Sequence, residues 1–244
     1  MERIIERTDD GSATLFVPEL NEHYHSTKGA RTESQHIFID MGLKASPAAT
    51  PRVLEIGFGT GLNAWLTLEE AERSRRNIHY IGLELYPLDW QTVEQLGYIS
   101  SDEQLTIHRK QTTTDEQFTP NEEKQQSAIE LFKQLHTSPW EKDVQLTPHF
   151  TLRKIETDVN KWRVENSLFN LVYFDAFAPE KQPEMWSQEL FNRLYVLLDR
   201  DGILTTYCAK GVVRRMLQTA GFTVERLPGP PGGKREILRA RKQE

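Results

Sequence analysis

One segment constrains this chain more than any other: Val53-Leu54-Glu55-Ile56-Gly57-Phe58-Gly59-Thr60-Gly61-Leu62-Asn63. It reads as a short buried strand, closed by Glu55, that turns through alternating glycines into a helix. Glycines at such a junction let the backbone turn tightly and approach a ligand, and the helix start supplies free N–H groups. The pattern is therefore that of an α/β sheet holding a nucleotide-like ligand. A glycine turn that only packs a helix on a sheet is the plainer alternative.

The chain continues as such a sheet requires. Leu62 to Ser74 has helical composition, with Ala64, Trp65, Leu68 and Ala71 at roughly helical spacing. Ile78 to Glu84 reads as a second strand, and Glu84 stands about 20 residues past the turn, where an acid accepts bonds from ribose hydroxyls. Later runs end at Thr157-Asp158 and at Phe174-Asp175; Asp158 is placed where related folds accept the adenine amino group. Four apolar runs that each finish in a carboxylate place their acids along the carboxyl edge of one parallel sheet. Further strands are expected over 202–208, 222–226 and 237–240, and a helix over 212–220.

The spacing selects among ligands. A dinucleotide turn reads Gly-x-Gly-x-x-Gly with no acid before it. Here the order is acid-x-Gly-x-Gly-x-Gly, which resembles the S-adenosylmethionine (SAM) loop of Rossmann-like methyltransferases. Gly57, Phe58, Gly59, Gly61 and Asn63 join Glu55, Glu84 and Asp158 as the expected cofactor residues. SAM is cationic and has no pyrophosphate, so acids near the turn make electrostatic sense. The fold class expected is α/β, a Rossmann-like sheet with helices on both faces.

Composition is that of a globular chain, 37% hydrophobic and 27% charged. No apolar run approaches about 18 residues, so no membrane span is expected, and residues 1–6 lack a signal-peptide core. A cytoplasmic protein follows. The single cysteine, Cys208, falls in an expected strand and reads as a buried, inert thiol. His23 and His25 flank Tyr24 without a third partner, and no Cys/His cluster has zinc spacing, so no metal is expected. The net charge of −6 is uneven: from Ala209 to Glu244 nine Lys and Arg face three acids, giving +6 there and −12 over the rest. That asymmetry suggests a basic face for a polyanion, with Arg214 and Arg215 at a helix start and Lys234 and Arg235 beyond. A solvated C-terminal tail is the alternative. Residues from about 100 to 147 are polar and rich in Gln, Glu and Thr, and only Ala128 to Leu135 has an apolar helical period. They read as an insertion, part loop and part helix, with no assigned chemistry.

Two longer segments name a family. Phe174-Asp175-Ala176-Phe177-Ala178-Pro179-Glu180-Lys181-Gln182-Pro183-Glu184-Met185-Trp186 resembles the Asp-Gly-Phe-Ala-Pro-x-Lys-x-Pro-x-Met-Trp segment of the MnmC methyltransferase domain, a tRNA wobble-uridine modification enzyme. Lys210-Gly211-Val212-Val213-Arg214-Arg215-Met216-Leu217 through Ala220-Gly221-Phe222, then Gly233-Lys234-Arg235-Glu236, is similar to two further segments of that family. Tyr24, Ser26, Gly29 and Glu33 match its N-terminal pattern more loosely, Ala176 replaces its usual Gly, and Leu85-Tyr86 depart from its Lys-Phe.

The resemblance implies methyl transfer from SAM to the primary amine of 5-aminomethyl(-2-thio)uridine in tRNA. Asp175 is the candidate catalytic carboxylate, orienting the amine and accepting its proton; an N-cap role is its alternative. Tyr24, Phe177, Pro179, Lys181, Arg214, Arg215, Lys234 and Arg235 are the candidate substrate residues. Residues 1–50 are expected to be an extension contributing to the site, and 51–244 the methyltransferase domain. The length leaves no room for the FAD-dependent oxidase half of fused members, so no flavin is expected; a separate oxidase or upstream enzyme would supply the amine. A monomer is expected. Other readings are a SAM-dependent methyl- or aminopropyltransferase acting on a small amine, a non-catalytic SAM- or tRNA-binding module, and, least in keeping with the glycine spacing, a nicotinamide dehydrogenase.

Overall fold

The structure, a computed structural model, describes residues 2–108, 123–164 and 168–243. The N-terminal strands β1 (Ile4–Arg7), β2 (Ala13–Val17) and β3 (Glu22–His23) pair antiparallel in that order. The short helix α1 (Ala30–Ser34) runs on into a π-helical stretch, Gln35–Asp40. Then come β4 (Arg52–Ile56), α2 (Leu62–Ser74), β5 (Ile78–Glu84), α3 (Trp90–Glu94), β6 (Gln104–His108) and β7 (Glu123–Ser127). They are followed by α4 (Ala128–Thr137), β8 (Asp143–Thr147), β9 (Phe150–Glu156), β10 (Phe169–Phe174), α5 (Gln188–Leu197) and β11 (Leu198–Thr206). The chain closes with α6 (Gly211–Thr219), β12 (Thr223–Pro228) and β13 (Glu236–Arg241).

Among the described residues eight strands form one sheet in the order β12-β13-β11-β10-β4-β5-β9-β8. The five central strands are mutually parallel, so their carboxyl ends share one edge. The order reverses at β4, whose neighbours are β10 and β5, and a crevice opens at such a switch point. The outer strands β13, β12 and β8 pair antiparallel.

Both faces of the sheet are covered, and strand parity decides what each face receives. Val53, Leu171, Tyr173 and Ile203 point to the side packed by α2, α4 and the π-helical stretch, with Trp65, Phe132 and Phe38. Leu54, Ile56, Val172, Phe174 and Leu204 point to the side packed by α5 and α6, with Leu190, Phe191, Val213 and Leu217. Burying each such Leu, Val, Ile or Phe side chain contributes about 1.5–3 kcal/mol. Near-continuous apolar runs are what a sheet buried on both faces demands.

The insertion differs from a loop-and-helix reading. Beside α4 it holds an antiparallel pair, β6 with β7, and a strand, β8, that extends the main sheet. The β7 segment is polar, Glu123-Lys124-Gln125-Gln126-Ser127. β6 turns Leu105 and Ile107 onto the core, whereas β7 has no apolar side chain and joins it through the backbone ladder. Residues 109–122 of the insertion lie outside the described residues. Among the described residues no helix is long and apolar enough to cross a membrane.

Candidate active site

The glycine turn sits at the end of β4 and is folded back on β5. Gly57 and Phe58 both donate to the Leu83 carbonyl, at 3.1 and 3.0 Å. Gly57 has φ +89°, and a Cβ there would stand 2.9 Å from the Asp175 carbonyl oxygen. Only glycine meets both demands. At Gly61 (φ +70°), which precedes α2, a Cβ would stand 2.7 Å from the His136 ring. The turn thus packs a helix closely and also leaves an open cradle in front of α2.

A cavity of about 480 Å³ lies over this cradle. Its floor is Ile56 to Thr60 with Leu62, Asn63 and Asp175; its walls carry Glu84, Asp158 and the segments 22–27 and 176–178. Glu84 knits the turn to β5. Its Oε2 accepts from Gly59 N at 2.8 Å, and its Oε1 accepts from Leu85 N and Tyr86 N at 3.0 and 2.8 Å. A carboxylate has about four lone-pair sites. With three used, Oε2 keeps acceptor capacity toward the cavity. Asp158, two residues past β9, accepts from Asn160 N at 2.9 Å and also lines the cavity.

Asp175 follows β10 and closes the floor. The Asn63 amide donates to Asp175 Oδ2 at 2.8 Å and, from the same nitrogen, to Glu55 Oε1 at 2.9 Å. One side-chain amide therefore bridges two carboxyl groups. Burial pushes Asp175 up to about 7, partly offset by the Asn63 bond; Glu33 raises it further and Lys234 lowers it. Burial likewise holds the Glu55 carboxyl well above the usual range. A group poised near 7 is suited to accepting a proton at neutral pH. Asp175 does not cap a helix: Ser187 caps α5, accepting from Leu190 N at 3.2 Å.

The loop after Asp175 is fixed from two sides. Trp186 Nε1 donates to the Phe177 carbonyl at 2.7 Å, and the Tyr207 hydroxyl donates to the Ala176 carbonyl at 2.9 Å. Phe177 meets Tyr24 edge to face, 5.1 Å between centroids, and the Tyr24 ring lies over Gly59. His25 is buried and shares a 2.7 Å hydrogen bond with Thr60, and burial holds it down at about 4. His23 pairs instead with Glu6.

Of the residues expected from sequence, the structure brings Tyr24, Gly57, Phe58, Gly59, Asn63, Glu84, Asp158, Asp175, Phe177 and Lys234 into one cavity lining. Glu55 and Gly61 are not in that lining. Glu55 does not close β4; Ile56 follows it in the strand, and parity turns Glu55 inward onto α2, 0% exposed. Gly61 packs on His136 instead. Pro179, Lys181, Arg214, Arg215 and Arg235 also lie outside the lining. Cys208 is buried as expected, just beyond β11 rather than within it.

Most of the C-terminal positive charge is internally paired. Arg239 and Arg241 grip Glu225, Arg226 pairs with Glu236, Lys210 with Glu180 and Lys234 with Glu33. Lys242 donates to the Tyr195 and Leu198 carbonyls. Among the described residues Arg214, Arg215 and Arg235 are the cations of that region left unpaired. Sequence reasoning gave no role to Glu33, Tyr207, His25 or Thr60, although Glu33 belongs to the N-terminal family pattern.

The donor set fits SAM: a left-handed glycine cradle, a strand-end carboxylate with spare acceptor capacity, and an acidic lining for a cation. A family described as S-adenosyl-L-methionine-dependent methyltransferase matches residues 119–243. The chain belongs to that family. The tRNA 5-methylaminomethyl-2-thiouridine biosynthesis bifunctional protein MnmC of Cupriavidus metallidurans is 29% identical to this methyltransferase, covering 99% of this chain and 35% of the relative. The protein of the same name from Magnetococcus marinus is 30% identical, covering 93% and 32%. This methyltransferase thus spans about a third of the length of the curated relatives it matches. The solved structure of MNMC2 from Aquifex aeolicus shares the fold, with a TM-score of 0.70 at 24% identity over 98% of this chain and 70% of that one.

Proposed function

We propose that this methyltransferase N-methylates the primary amine of 5-aminomethyluridine, 2-thiolated or not, at the tRNA wobble position. The observation that carries the reading is the placement of Asp175. It stands at the floor of a cavity that also holds the glycine cradle, held by the Asn63 amide and poised near neutrality. The names of the MnmC relatives, which share nearly the whole chain, support the substrate class.

SAM supplies a methyl group already activated on a sulfonium. Position is what remains to be provided, and holding two reactants together lowers a barrier by several kcal/mol. The roles assigned to the chain's own residues follow. The cradle Gly57, Phe58 and Gly59 with the start of α2 receives the amino-acid end of SAM, Glu84 the ribose hydroxyls and Asp158 the adenine amino group, while Gly61 lets α2 pack closely on His136. Glu55 acts through Asn63, which it orients. Asp175 receives the amine, draws it into line and accepts the proton that methylation releases. Tyr24 and Phe177 offer faces for the flipped-out base, since single-stranded bases are read by stacking. Pro179 and Lys181 lie just beyond them on the same loop. Arg214, Arg215 and Arg235 contact tRNA phosphates; Lys210, the residue before α6, pairs at the surface with Glu180 on the loop that carries Phe177. The division into an extension over 1–50 and a methyltransferase domain over 51–244 belongs to the same proposal. So does the supply of the amine by a separate oxidase or upstream enzyme.

The test is transfer of labelled methyl from SAM to bulk tRNA from a host lacking the activity, with nucleoside analysis. Label in 5-methylaminomethyluridine or its 2-thio form is expected. No label, with SAM binding intact, refutes the tRNA reading in favour of a small amine. Asp175→Asn is expected to abolish turnover while SAM affinity stays within a few-fold; turnover near wild type would make Asp175 structural.

A further inference from the structure

Among the described residues the cavity lining contains six carboxylates, Glu22, Glu33, Glu84, Asp158, Asp175 and Glu184, and one lysine, Lys234. Lys234 lies on the loop between β12 and β13, yet its Nζ stands 2.9 Å from Glu33 Oε1, 201 residues earlier in the chain. The same ammonium sits 4.0 Å from the centroid of the Tyr207 ring. Each of these partners holds something else. Glu33 Oε2 accepts from Ser26 N at 2.9 Å, which fixes the segment carrying Tyr24 and His25. The Tyr207 hydroxyl holds the Ala176 carbonyl, one residue past Asp175.

We propose that Lys234 is a positioning residue, not a phosphate contact: its ammonium braces the N-terminal segment and the Asp175 loop around the reacting amine. This rests on the reading of Asp175 as the carboxylate that receives the amine. A surface ion pair between flexible side chains would contribute little. This one is anchored differently: the Glu33 side chain is 11% exposed, one of its oxygens is taken by backbone, and the cation lies on an aromatic face. The Lys234 side chain is itself 43% exposed, so what sets it apart from a phosphate-seeking surface lysine is where its ammonium is held, not burial.

The brace also sets the charge around Asp175. The groups facing that carboxyl are Glu55 on β4, Asn63 on α2, Tyr80 on β5, Glu33 on α1, Tyr207 after β11, and Lys234. Lys234 lowers Asp175 and Glu33 raises it, so the pair's two members push its titration in opposite directions.

The experiment measures kcat against pH for wild type, Lys234→Met, Lys234→Arg and Glu33→Gln with amine-bearing tRNA. Amide exchange over residues 24–33 is followed in the same four proteins. In Lys234→Met the acid limb should rise by about half a pH unit or more, and in Glu33→Gln it should fall by a similar amount. Turnover of Lys234→Met near neutrality should drop about tenfold, with Lys234→Arg recovering most of it because charge and ring contact persist. Exchange over 24–33 should quicken in Lys234→Met as the segment loses its anchor. Acid limbs that stay put or move together, with unchanged exchange, overturn the proposal. Weaker tRNA binding with a shallower salt dependence in Lys234→Met, and nothing else, also overturns it and makes Lys234 a phosphate contact. Asp175→Asn is the control: if it keeps near-wild-type turnover, the reading of Asp175 fails, and the exchange measurement alone decides whether the brace exists.

Discussion

Removing the Asn63 amide should destabilise the protein by an amount that depends on pH, because one NH2 group serves two carboxyl groups of different character. Asn63→Leu keeps the side chain's size and deletes both bonds, 2.8 Å to Asp175 and 2.9 Å to Glu55. At pH 8 Asp175, pushed up to about 7, is mostly ionised, whereas burial raises Glu55 and so favours its neutral form. A bond to a charged group contributes about 1.5–3 kcal/mol and a neutral one about 0.5–1.5 kcal/mol, so the loss at pH 8 is roughly 2–4.5 kcal/mol. At pH 5 Asp175 is neutral as well, and the loss falls to roughly 1–3 kcal/mol. The sign follows from Asn63 lowering Asp175: the bond favours the charged form, so its contribution grows as pH rises through the folded-state value. For a domain of this size 1 kcal/mol moves Tm by about 2–4 °C. The variant should therefore melt several degrees further below wild type at pH 8 than at pH 5. Calorimetric or fluorescence melts at pH 5, 6, 7 and 8 measure this directly. A Tm difference that stays flat across the series would refute the picture of an amide serving a carboxylate that titrates in this range.

Three further outcomes follow from the same geometry. Gly57→Ala puts a Cβ 2.9 Å from the Asp175 carbonyl at φ +89° and should weaken SAM binding tenfold or more by calorimetry; unchanged affinity would mean the cradle does not touch the ligand. Glu84→Ala strips the acceptor from Gly59, Leu85 and Tyr86 N–H and should raise the Kd for SAM about 10–100-fold, at odds with a purely solvated strand-end acid if seen and with the ribose role if not. Arg214→Ala with Arg215→Ala should reduce the slope of log K for tRNA against log salt by about 2, one per lost phosphate contact, and an unaltered slope rules out that face as the backbone contact.

The fold was legible in the sequence where burial on both faces imposed long apolar runs. β4, β5, β9 and β10 were each readable, and α2 and β5 occupy the residues read for them. What escaped was held by other forces. β7 is polar and joined to β6 by backbone bonds, β6 turns only Leu105 and Ile107 onto the core, and the π-helical stretch Gln35–Asp40 has no composition that marks it. The N-terminal strands were missed for a similar reason: β1 is exposed and only β2 turns Ala13, Leu15 and Val17 inward.

The site was legible along the sheet edge and not across it. Residues that follow a strand can be ordered from sequence, because the edge is one-dimensional: Glu84, Asp158 and Asp175 appear in the lining as read. Glu55 shows the limit of that reasoning. It was read as a strand-end acid, but it stands one place before the last residue of β4, and a shift of one residue turns a side chain through the sheet. From the far face it reaches the cavity only through Asn63. Charge was legible only in part. A +6 segment suggested a basic face, yet Glu225, Glu236, Glu180 and Glu33 take up five of its cations, and Glu180 and Glu33 come from outside that segment. Net charge counts residues, whereas a field depends on which partner each one meets in space. Lys234 is the extreme case: its partner lies 201 residues away, so no local count could have shown the pair it forms at the cavity.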